Sequence, residues 1–322
     1  MRVAVTGAAG FVGSHLCEHL VMDGHAVVGI DNFDDFYDPE RKRENLARLY
    51  DDPRFTLVET DVCVRSLMRR ALAGTDAVVH LAARAGVRPS FAASDLYVRA
   101  NVTASARLLE MIAELRIPRL VFISSSTVYG EGVSAPFRES GELGVPKSPY
   151  AATKVAGEML CRAFAHKVPN IAILRLFSVY GPRQRPDLAI YKFARCIESG
   201  KPIPVLGRTD SYRDYTYVDD IVDAIAAALE LNEPWAVLNL GSGAPVTLEQ
   251  MIVGLEYALS RKAQRRLLPP HPGDMFGTWA DTSAAKRLLG FEPAWTFDKG
   301  VERFAEWFLE SAESRLAERQ AA

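Results

Sequence analysis

The first half of the chain alternates between short apolar runs and longer segments whose apolar residues recur every three or four positions. The apolar runs predict buried strands, and the longer segments predict amphipathic helices. The predicted strands are Arg2–Thr6, Ala26–Asp31, Phe55–Glu59, Ala77–Ala82, Leu120–Ser124 and Ile171–Leu176, and the predicted helices are Phe11–Asp23, Pro39–Tyr50, Val64–Ala73, Ala92–Leu115 and Tyr150–Lys167. Such alternation indicates β-α-β units, in which helices cover both faces of a parallel sheet.

The pattern loosens after Tyr180, where loop-forming residues become frequent. Residues 181–187 and 268–277 predict loops because proline and glycine cluster there. The predicted helices of this half are Leu188–Ser199, Val218–Leu231, Thr247–Ser260 and Lys299–Glu313, and its predicted strands are Ile203–Leu206 and Val237–Leu240. We therefore expect an α/β fold with a Rossmann-type doubly wound parallel sheet and a smaller mixed α/β C-terminal lobe.

Composition narrows the possible partners. The 322 residues include 38 basic and 40 acidic side chains, and the net charge of −2 gives no reason to expect nucleic acid or an anionic membrane as a partner. The four cysteines are scattered without a Cys-x-x-Cys pair, which argues against a metal site or disulfides and favours the reducing cytoplasm. The N-terminal segment lacks the pattern of a signal peptide, and we expect no membrane-spanning segment because no apolar run is long enough.

A glycine-rich segment, Gly7-Ala-Ala-Gly10-Phe-Val-Gly13, joins the first predicted strand to the first predicted helix. In this position the glycines allow a tight turn, and the N-terminus of the helix offers free N–H groups to a pyrophosphate. We therefore assign residues 1–180 to a dinucleotide-binding domain, to which residues 214–242 return. Residues 181–322 are assigned mainly to a substrate-binding lobe.

Two carboxylates follow the second and third predicted strands. Asp31 lies about 20 residues beyond the glycines, where an acid receives the ribose hydroxyls of a dinucleotide. A carboxylate there repels a 2′-phosphate, so we expect NAD rather than NADP; the alternative for Asp31 is a turn cap. Asp61 is a second candidate for a contact near the adenine, and its alternative is a cap for the helix that starts at Val64.

Tyr150 and Lys154 are four residues apart and share one face of a predicted helix, with Pro149 at its start. A phenol is a poor base at neutral pH, but a neighbouring ammonium group favours the phenolate and lowers the pKa of the phenol. A hydroxyl cluster, Ser124–Thr127, ends the preceding strand, at the edge where parallel sheets bind ligands. Together with a dinucleotide, these groups predict redox chemistry on a substrate hydroxyl. Taken alone, the serines would fit a polar turn and the Tyr-x-x-x-Lys pair an exposed helix face.

A set of motifs resembles the extended short-chain dehydrogenase/reductase family, in its nucleotide-sugar epimerase/dehydratase branch. The resemblance runs along nearly the whole chain, through TGAAGFVG at 6–13, HLAA at 80–83, SSSTVYGE at 124–131, YAATK at 150–154, RLFSVYGPRQRPD at 175–187, RDYTYVDD at 213–220, NLGSG at 239–243 and HPGDMFGTWADTSAAKRLLG at 271–290. It implies bound NAD, a UDP-sugar substrate and a homodimer built on Ala92–Leu115 and Tyr150–Lys167. The cofactor contacts that it implies are Gly7, Gly10, Phe11, Val12, Gly13, Asp31, Asn32, Asp61, Val62, Leu81, Ala82, Ala83, Arg84, Asn101, Tyr150 and Lys154.

The resemblance also selects a reaction. Sugar 4,6-dehydratases of this branch carry an Asp-Glu pair directly before Val-Tyr-Gly, and UDP-glucuronate decarboxylases carry a Glu there, whereas this chain has Ser126 and Thr127. The expected reaction is therefore epimerisation at C4 of the sugar. By resemblance, Tyr150 removes the proton of the 4-hydroxyl, Lys154 lowers the pKa of Tyr150 and holds the nicotinamide ribose, and Ser125 shares the proton of the 4-oxygen.

Three segments, ARAGVRPS, DDFYDPERKRENLARL and FSVYGPRQRPDLA, are most similar to UDP-glucuronate 4-epimerases, which implies a carboxylate at C6 of the sugar. A buried carboxylate needs a cation and hydroxyl donors. The implied substrate contacts are Ser125, Ser126, Thr127, Ser178 and Arg185 at the sugar, Arg213 and Lys192 at the diphosphate, Asp274 at the uridine ribose, and Arg88. The alternatives are a loop ion pair for Arg185, a solvated side chain for Lys192, and either phosphate contact or loop ordering for Arg88.

Three other functions compete with this interpretation. They are an epimerase of neutral UDP-sugars such as UDP-glucose, a nucleotide-sugar dehydratase or decarboxylase, and a non-catalytic NAD-binding protein. The complete set of Tyr150, Lys154 and Ser125 argues against a non-catalytic protein, because each has a part in the hydroxyl chemistry.

Overall fold

A seven-stranded parallel sheet forms the centre of the molecule. The computed structural model describes residues 1–271 and 273–321, with the side chains of the last helix described as far as residue 311. The seven strands lie in the order β11-β6-β5-β4-β1-β2-β3, and each neighbouring pair is parallel. The strands are β1 (Arg2–Thr6), β2 (Ala26–Asp31), β3 (Phe55–Glu59), β4 (Ala77–His80), β5 (Arg119–Ser125), β6 (Asn170–Leu176), β7 (Ser178–Tyr180), β8 (Ile203–Leu206), β9 (Tyr212–Arg213), β10 (Tyr215–Tyr217), β11 (Trp235–Leu240), β12 (Val246–Thr247) and β13 (Arg265–Leu268).

Helices cover both faces of the central sheet. They are α1 (Phe11–Met22), α2 (Pro39–Asn45), α3 (Arg65–Leu72), α4 (Pro89–Ala92), α5 (Ser94–Tyr97), α6 (Ala104–Leu115), α7 (Pro149–Phe164), α8 (Ala189–Glu198), α9 (Val218–Leu229), α10 (Leu248–Ala258), α11 (Ser283–Leu289) and α12 (Phe297–Ala321). Val3 and Val5 of β1 pack in one apolar cluster with α1 and α9, while Ala4 packs in another with α3, α6 and α7. Both faces of the strand are buried, which explains its continuous apolar sequence. Among the described residues, no helix is long and apolar enough to cross a membrane.

The strand order reverses between β1 and β4, and this reversal places the site. From β1 the chain proceeds through β2 and β3 to one edge of the sheet, and from β4 through β5 and β6 towards the other. Ligands of doubly wound sheets bind beyond the carboxyl ends of the strands at such a point. The glycine segment follows β1 and the serine cluster ends β5, so both lie at this edge.

The C-terminal lobe carries three two-stranded sheets, which pair β7 with β10, β9 with β12 and β8 with β13. Asp214, between β9 and β10, is buried, and its carboxylate accepts hydrogen bonds from the N–H groups of Gly243 (3.1 Å) and Ala280 (3.0 Å). These bonds tie three separate segments together beneath the cleft. Because β11 pairs with β6, the chain returns to the central sheet after β10; a domain boundary at residue 180 stays a prediction.

The prediction of one continuous helix over Ala92–Leu115 is wrong. The structure has the short helices α4 and α5, then a π-helical turn at Val98–Thr103, before α6 begins. The turn carries Asn101, whose amide accepts from the Arg84 N–H (2.8 Å) and donates to the Arg84 carbonyl (2.9 Å) and to the Thr153 hydroxyl oxygen (3.0 Å). These bonds to two neighbouring segments offset the energetic cost of the wider π-helical turn. They are tertiary contacts, which helical periodicity does not reveal.

Other boundaries differ by a few residues. The helix predicted to reach Tyr50 ends at Asn45, whose side-chain amide donates to the Ala9 carbonyl (3.0 Å) and so joins α2 to the glycine segment. Strand β4 ends at His80 rather than Ala82. The strands β7, β9, β10 and β12 have two or three residues each, which is too short for a period of two to be recognised.

Candidate active site

A cleft of about 570 Å³ lies at the carboxyl edge of the central sheet and continues into the C-terminal lobe. Most of the predicted site residues line it. They are Gly7, Gly10, Phe11, Val12, Gly13, Asp31, Asn32, Asp61, Val62, Leu81, Ala82, Ala83 and Arg84 on the predicted cofactor side, and Ser125, Ser126, Thr127, Tyr150, Lys154, Ser178, Arg185, Arg213 and Asp274 on the predicted substrate side. Asn101, Arg88 and Lys192 do not line the cleft.

The glycine segment forms a cradle that a side chain would fill. Gly7 has a φ of +74°, and a Cβ on it would lie 2.8 Å from the Ala82 nitrogen. A Cβ on Gly13 would lie 2.1 Å from the Gly7 carbonyl oxygen. Helix α1 starts after Gly10 without a side-chain cap, so its first-turn N–H groups keep their partial positive charge. The segment therefore fits the pyrophosphate of a dinucleotide.

Asp31 ends β2 at the floor of the cleft. Its Oδ2 accepts from the Ala9 N–H (3.0 Å) and its Oδ1 from the Phe33 N–H (2.8 Å). Burial raises the pKa of Asp31, while the Lys42 ammonium, 3.9 Å from Oδ1, and the two N–H groups lower it. Each oxygen keeps a lone pair for a ribose hydroxyl. Lys42, which also lines the cleft, was not recognised from the sequence.

Asp61 forms a turn but does not cap α3. Its Oδ1 accepts from the Cys63 N–H (2.7 Å), which closes a turn ahead of the helix, whereas the residue at the start of the helix is Val64 and no side chain caps it. Its Oδ2 accepts from the Asn32 amide (3.5 Å), and both residues line the cleft. A contact of Asp61 near the adenine stays a prediction.

Helix α7 brings Tyr150 and Lys154 to the cleft. It begins at Pro149, and the Ser148 hydroxyl oxygen caps it by accepting from the Ala151 N–H (3.1 Å). The cap fixes the first turn, so that Tyr150 and Lys154, one turn apart, both face the ends of the strands.

The phenol of Tyr150 lies beside a hydroxyl and a cation. Burial raises the pKa of Tyr150, whereas contact with the Ser125 hydroxyl and the positive charge of Arg185 lower it. The sequence had indicated Lys154 as the cation for this phenol, and it assigned Arg185 to the substrate alone. In the structure, Arg185 acts on Tyr150.

A backbone carbonyl of β5 holds the ammonium group of Lys154. Its Nζ donates to the carbonyl of Ile123 (2.9 Å), near the end of β5. Burial lowers the pKa of Lys154 to about 8, and the carboxylate of Glu158 opposes that shift. One bond to Ile123 leaves two N–H donors of the ammonium group for a ligand.

Ser125 organises the hydroxyl cluster. Its Oγ accepts from the Thr127 N–H (3.2 Å) and from the Thr127 hydroxyl (3.0 Å), at the start of a 3₁₀ turn over Ser126–Tyr129. Ser125 and Thr127 therefore stand side by side at the end of β5. Ser124 points the other way, and its hydroxyl donates to Glu158 (2.5 Å) beneath α7.

Arg185 reaches the cleft from the loop after β7 and is held by Asp187. Its Nε donates to Asp187 Oδ1 and its Nη2 to Asp187 Oδ2, both at 2.9 Å. The Arg185 side chain is 20% exposed, and its guanidinium carbon lies 5.7 Å from the centre of the Phe36 ring. The phenol oxygen of Tyr37 is buried and has no hydrogen-bond partner among the described residues. The sequence did not identify Phe36, Tyr37 or Asp187 as site residues, although the first two lie in the insert after β2.

At the mouth of the cleft, two predicted substrate contacts bind each other. Arg88 Nη2 lies 2.6 Å from Asp274 Oδ2, and Arg88 Nε lies 3.3 Å from Oδ1. Arg213 Nη2 donates to the Met275 carbonyl (2.7 Å) and its Nη1 to the Phe276 carbonyl (3.2 Å). The loop that carries Asp274 is thus held by two arginines.

Lys192 and Asn101 lie away from the cleft. Lys192 is exposed on α8, which agrees with the alternative of a solvated lysine. Asn101 is buried, and its side-chain bonds go to Arg84 and Thr153, so its structural effect is to support the segment that contains Arg84. In the described part of the chain, no group of three or more His, Cys, Asp or Glu side chains is arranged to hold a metal ion.

Comparison with known proteins agrees with this geometry. The profile of a family described as the NAD dependent epimerase/dehydratase family matches residues 3–241. The UDP-glucuronate 4-epimerase of Thermodesulfobacterium geofontis is 38% identical over 313 residues, which cover 96% of each chain. The probable UDP-glucuronate 4-epimerase of Rhizobium meliloti is 36% identical over 331 residues, which cover 96% of this chain and 97% of that one.

A solved structure is similar over almost the whole chain. The UDP-glucuronic acid 4-epimerase from Bacillus cereus, in complex with UDP-glucuronic acid and NAD, superposes with a TM-score of 0.91. Its sequence is 36% identical, and the match covers 97% of this chain and 100% of that one. The similarity therefore includes both the central sheet and the C-terminal lobe.

Proposed function

The chain belongs to the NAD dependent epimerase/dehydratase family, and we propose that within it the protein interconverts UDP-glucuronate and UDP-galacturonate by inverting C4 of the sugar. The Rossmann-type sheet and the glycine cradle account for its dependence on NAD. The proposal also assigns the sugar, the nucleotide and the role of each side chain in binding and catalysis. The named relatives act on UDP-glucuronate, and the cleft of this protein suits the same substrate.

The observation that carries the uronate is the guanidinium of Arg185 in the cleft. A C6 carboxylate loses its hydration when it is buried, and only a cation with further donors compensates that loss. Arg185 lines the cleft close enough to Tyr150 to affect its pKa, and Asp187 engages its Nε and Nη2. The Nη1 donors are outside that pairing and are the ones that we assign to the carboxylate. The Ser178 hydroxyl lines the same part of the cleft and adds a further donor.

Tyr150 is the proposed base. Its phenolate takes the proton of the 4-hydroxyl, and the Ser125 hydroxyl, beside it, shares the hydrogen bond to the sugar oxygen. Bound NAD would supply the acceptor and the donor of the C4 hydride, so that the reaction would have no net redox change. Lys154 uses donors that remain beyond its Ile123 bond to hold the nicotinamide ribose. Tyr150 then returns the proton to the 4-oxygen after the 4-keto sugar has turned over.

The nucleotide is assigned to the mouth of the cleft. Arg213 is fixed there by three backbone carbonyls, those of Tyr212, Met275 and Phe276. Its charge lies near the loop that carries Asp274, and this suits a diphosphate. Asp274 is paired with Arg88, so a ribose hydroxyl would use lone pairs that the arginine leaves free or would displace it. Lys192 is left out of this assignment because it does not line the cleft.

A homodimer is part of the same proposal. Leu96, Val98 and Met159 are exposed apolar side chains on the two segments that sequence resemblance assigns to the interface. Exposed apolar groups on one face of a protein favour self-association. Light scattering of the purified protein should give twice the mass of one chain, and a mass of one chain would contradict the dimer.

The test is the product formed from UDP-glucuronate without added NAD. Proton NMR should show the 4-epimer accumulating to equilibrium with an unchanged molecular mass, and Tyr150→Phe should slow the conversion by roughly 10²- to 10⁴-fold, the usual contribution of a general base. Loss of carbon dioxide or water would instead identify a decarboxylase or dehydratase. No conversion of the uronate, with turnover of UDP-glucose, would replace the proposal with a neutral-sugar epimerase.

A further inference from the structure

A buried ion pair lies directly beneath the Tyr150–Lys154 helix face and has no part in the proposed mechanism. Glu158 on α7 and Arg175 on β6 have side chains that are only 3% and 6% exposed. Arg175 Nε donates to Glu158 Oε1 (3.0 Å), and Arg175 Nη2 donates to Oε2 (2.8 Å). In many proteins, replacing a buried ion pair with apolar groups leaves the stability of the fold unchanged or raises it. Stability alone therefore gives little reason for this pair.

The pair is joined to the catalytic helix at defined points. Glu158 is one turn after Lys154 on α7, and its Oε1 also accepts from the Ser124 hydroxyl (2.5 Å). Ser124 lies opposite Arg175 in the register of β5 and β6, and it directly follows Ile123, whose carbonyl accepts from Lys154 Nζ. The carboxylate, the arginine and the ammonium group therefore share one small region of α7, β5 and β6.

The charges that face Lys154 are few. They are Glu158 and Cys161 on its own helix and His80 on β4, while β5 contributes the Phe122 ring, whose centre is 5.6 Å from Nζ. Arg175 on β6 is paired with Glu158. His80 is neutral near pH 7, because burial lowers its pKa to about 3. Glu158 is therefore the carboxylate of this set, and it opposes the lowering of the Lys154 pKa by burial.

Arg175 limits the effect of that carboxylate. Two of its nitrogens are bound to Glu158, and the guanidinium lies 4.9 Å from the centre of the Tyr129 ring. Its positive charge therefore lies next to the Glu158 carboxylate and offsets part of the negative charge.

We propose that Glu158 is a positioning residue for the catalytic pair: its negative charge keeps Lys154 an ammonium ion at neutral pH, and Arg175 sets how much of that charge Lys154 experiences. The inference rests on the proposed function, in which Lys154 holds the nicotinamide ribose with N–H donors, because deprotonation leaves the amine with one donor fewer. Neither Glu158 nor Arg175 lines the cleft, so both act through Lys154.

The two halves of the pair should shift the pH dependence of kcat in opposite directions. Glu158→Gln removes the negative charge, so Lys154 loses its proton at lower pH and the alkaline limb should move down by about one pH unit. Arg175→Gln leaves the carboxylate uncompensated, so the same limb should move up by roughly half a unit. KM for the UDP-sugar should change less than about threefold, because neither residue contacts the substrate.

A merely structural pair predicts a different outcome. Both variants would then lose thermal stability and activity at every pH, and the alkaline limb would stay where it is. Glu158→Asp, which keeps the charge, should restore the wild-type limb even if kcat is lower. Glu256→Gln removes a buried carboxylate paired with Lys262 away from the cleft, and it serves as the matched control with an unchanged profile.

A readout without turnover keeps the two proposals separate. Lysine labelled with ¹³C at Cε can be titrated by NMR, with Lys154→Arg identifying the signal of Lys154. The midpoint of the Lys154 titration should fall in Glu158→Gln and rise in Arg175→Gln. If either variant fails to fold, the double variant Glu158→Gln with Arg175→Gln keeps a neutral pair. Its Lys154 midpoint should still lie below that of the wild type. If the Lys154 midpoints of both variants equal that of the wild type, or shift in the same direction, the inference is overturned. A wild-type protein that is inactive on UDP-glucuronate overturns only the proposed function.

Discussion

The cofactor end and the sugar end of the cleft are built in different ways. At the cofactor end, backbone groups do most of the work: the glycine cradle and the free N–H groups of α1 follow directly from a strand–glycine–helix order. At the sugar end, side chains hold one another, both between distant parts of the chain and within one loop. Arg88 binds Asp274 across 186 positions, and Arg185 binds Asp187 in the loop after β7.

The difference bears on binding. A backbone cradle cannot rearrange without moving the sheet, so the cofactor end is complete before a ligand arrives. Paired side chains must share or exchange partners when a charged ligand enters, and each exchange depends on the charge of that ligand. We therefore expect almost every substitution at the cofactor end to abolish activity. Substitutions at the sugar end should change which sugar is accepted before they abolish activity.

The largest effect is expected at the cofactor end, from Gly13→Ala. The added Cβ would lie 2.1 Å from the Gly7 carbonyl oxygen, so the cradle must shift. A misplacement of about 1 Å in a binding site costs on the order of a hundredfold in activity. The purified protein should also contain no NAD, as measured by absorbance and by enzymatic assay. Gly24→Ala is the control for destabilisation alone: its φ of +84° also strains an alanine, but a Cβ there meets nothing within 4 Å among the described residues, so NAD should be retained. A Gly13→Ala protein that retains NAD would remove the contrast between the two ends.

An intermediate and selective effect is expected from Arg185→Ala. Loss of a buried charged partner costs about 2–5 kcal/mol, so kcat/KM for UDP-glucuronate should fall roughly a hundredfold. UDP-glucose, which has no carboxylate, should lose less, namely the part of the loss that comes from the effect of Arg185 on the Tyr150 pKa. Steady-state assays of both sugars measure the ratio. Arg183→Ala in the same loop is the matched control, because Arg183 pairs with Glu18 (2.7 Å) outside the cleft. Equal losses with both sugars would count against a carboxylate site.

The smallest effect is expected at the mouth, from Arg88→Ala. Its pair with Asp274 is 45% exposed on the arginine side, and exposed pairs contribute about 0–1 kcal/mol. KM for the UDP-sugar should rise about threefold while kcat stays nearly unchanged, as measured by initial rates. Arg138→Ala, which removes an exposed pair with Asp281 elsewhere, should leave KM unchanged. A large fall in kcat would mean that Arg88 acts on the reacting sugar.

The same contrast explains what could be predicted from the sequence. The cofactor end was predictable because its motif is local: the glycines, Asp31 and the strands around them lie within one β-α-β unit. The family, the Rossmann-type α/β fold and the NAD cofactor were predicted and are confirmed. Tyr150 and Lys154 were also found locally, since four residues of separation put them on one helix face.

The sugar end was predicted in part. Resemblance supplied Ser178, Arg185, Arg213 and Asp274, and the structure places all four on the cleft. A loop ion pair was the alternative expected for Arg185, and the structure shows that pair with Asp187. The pairing of Arg88 with Asp274 was not predictable, because it joins residues on different lobes. Lys192 shows the opposite error, in which a charge near the right motif lies on the solvent side of α8.

Local sequence patterns were enough to predict the layers, the position of the glycine cradle and the helix that carries Tyr150 and Lys154, because periodicity, turn residues and helix spacing act over a few neighbouring positions. The three-dimensional fold was needed to bring the charge of Arg185 near Tyr150, to pair Glu158 with Arg175 and to interrupt the helix before α6 at Asn101. These features depend on charges and hydrogen bonds between segments far apart in the chain, and such contacts exist only after the sheet has brought those segments together.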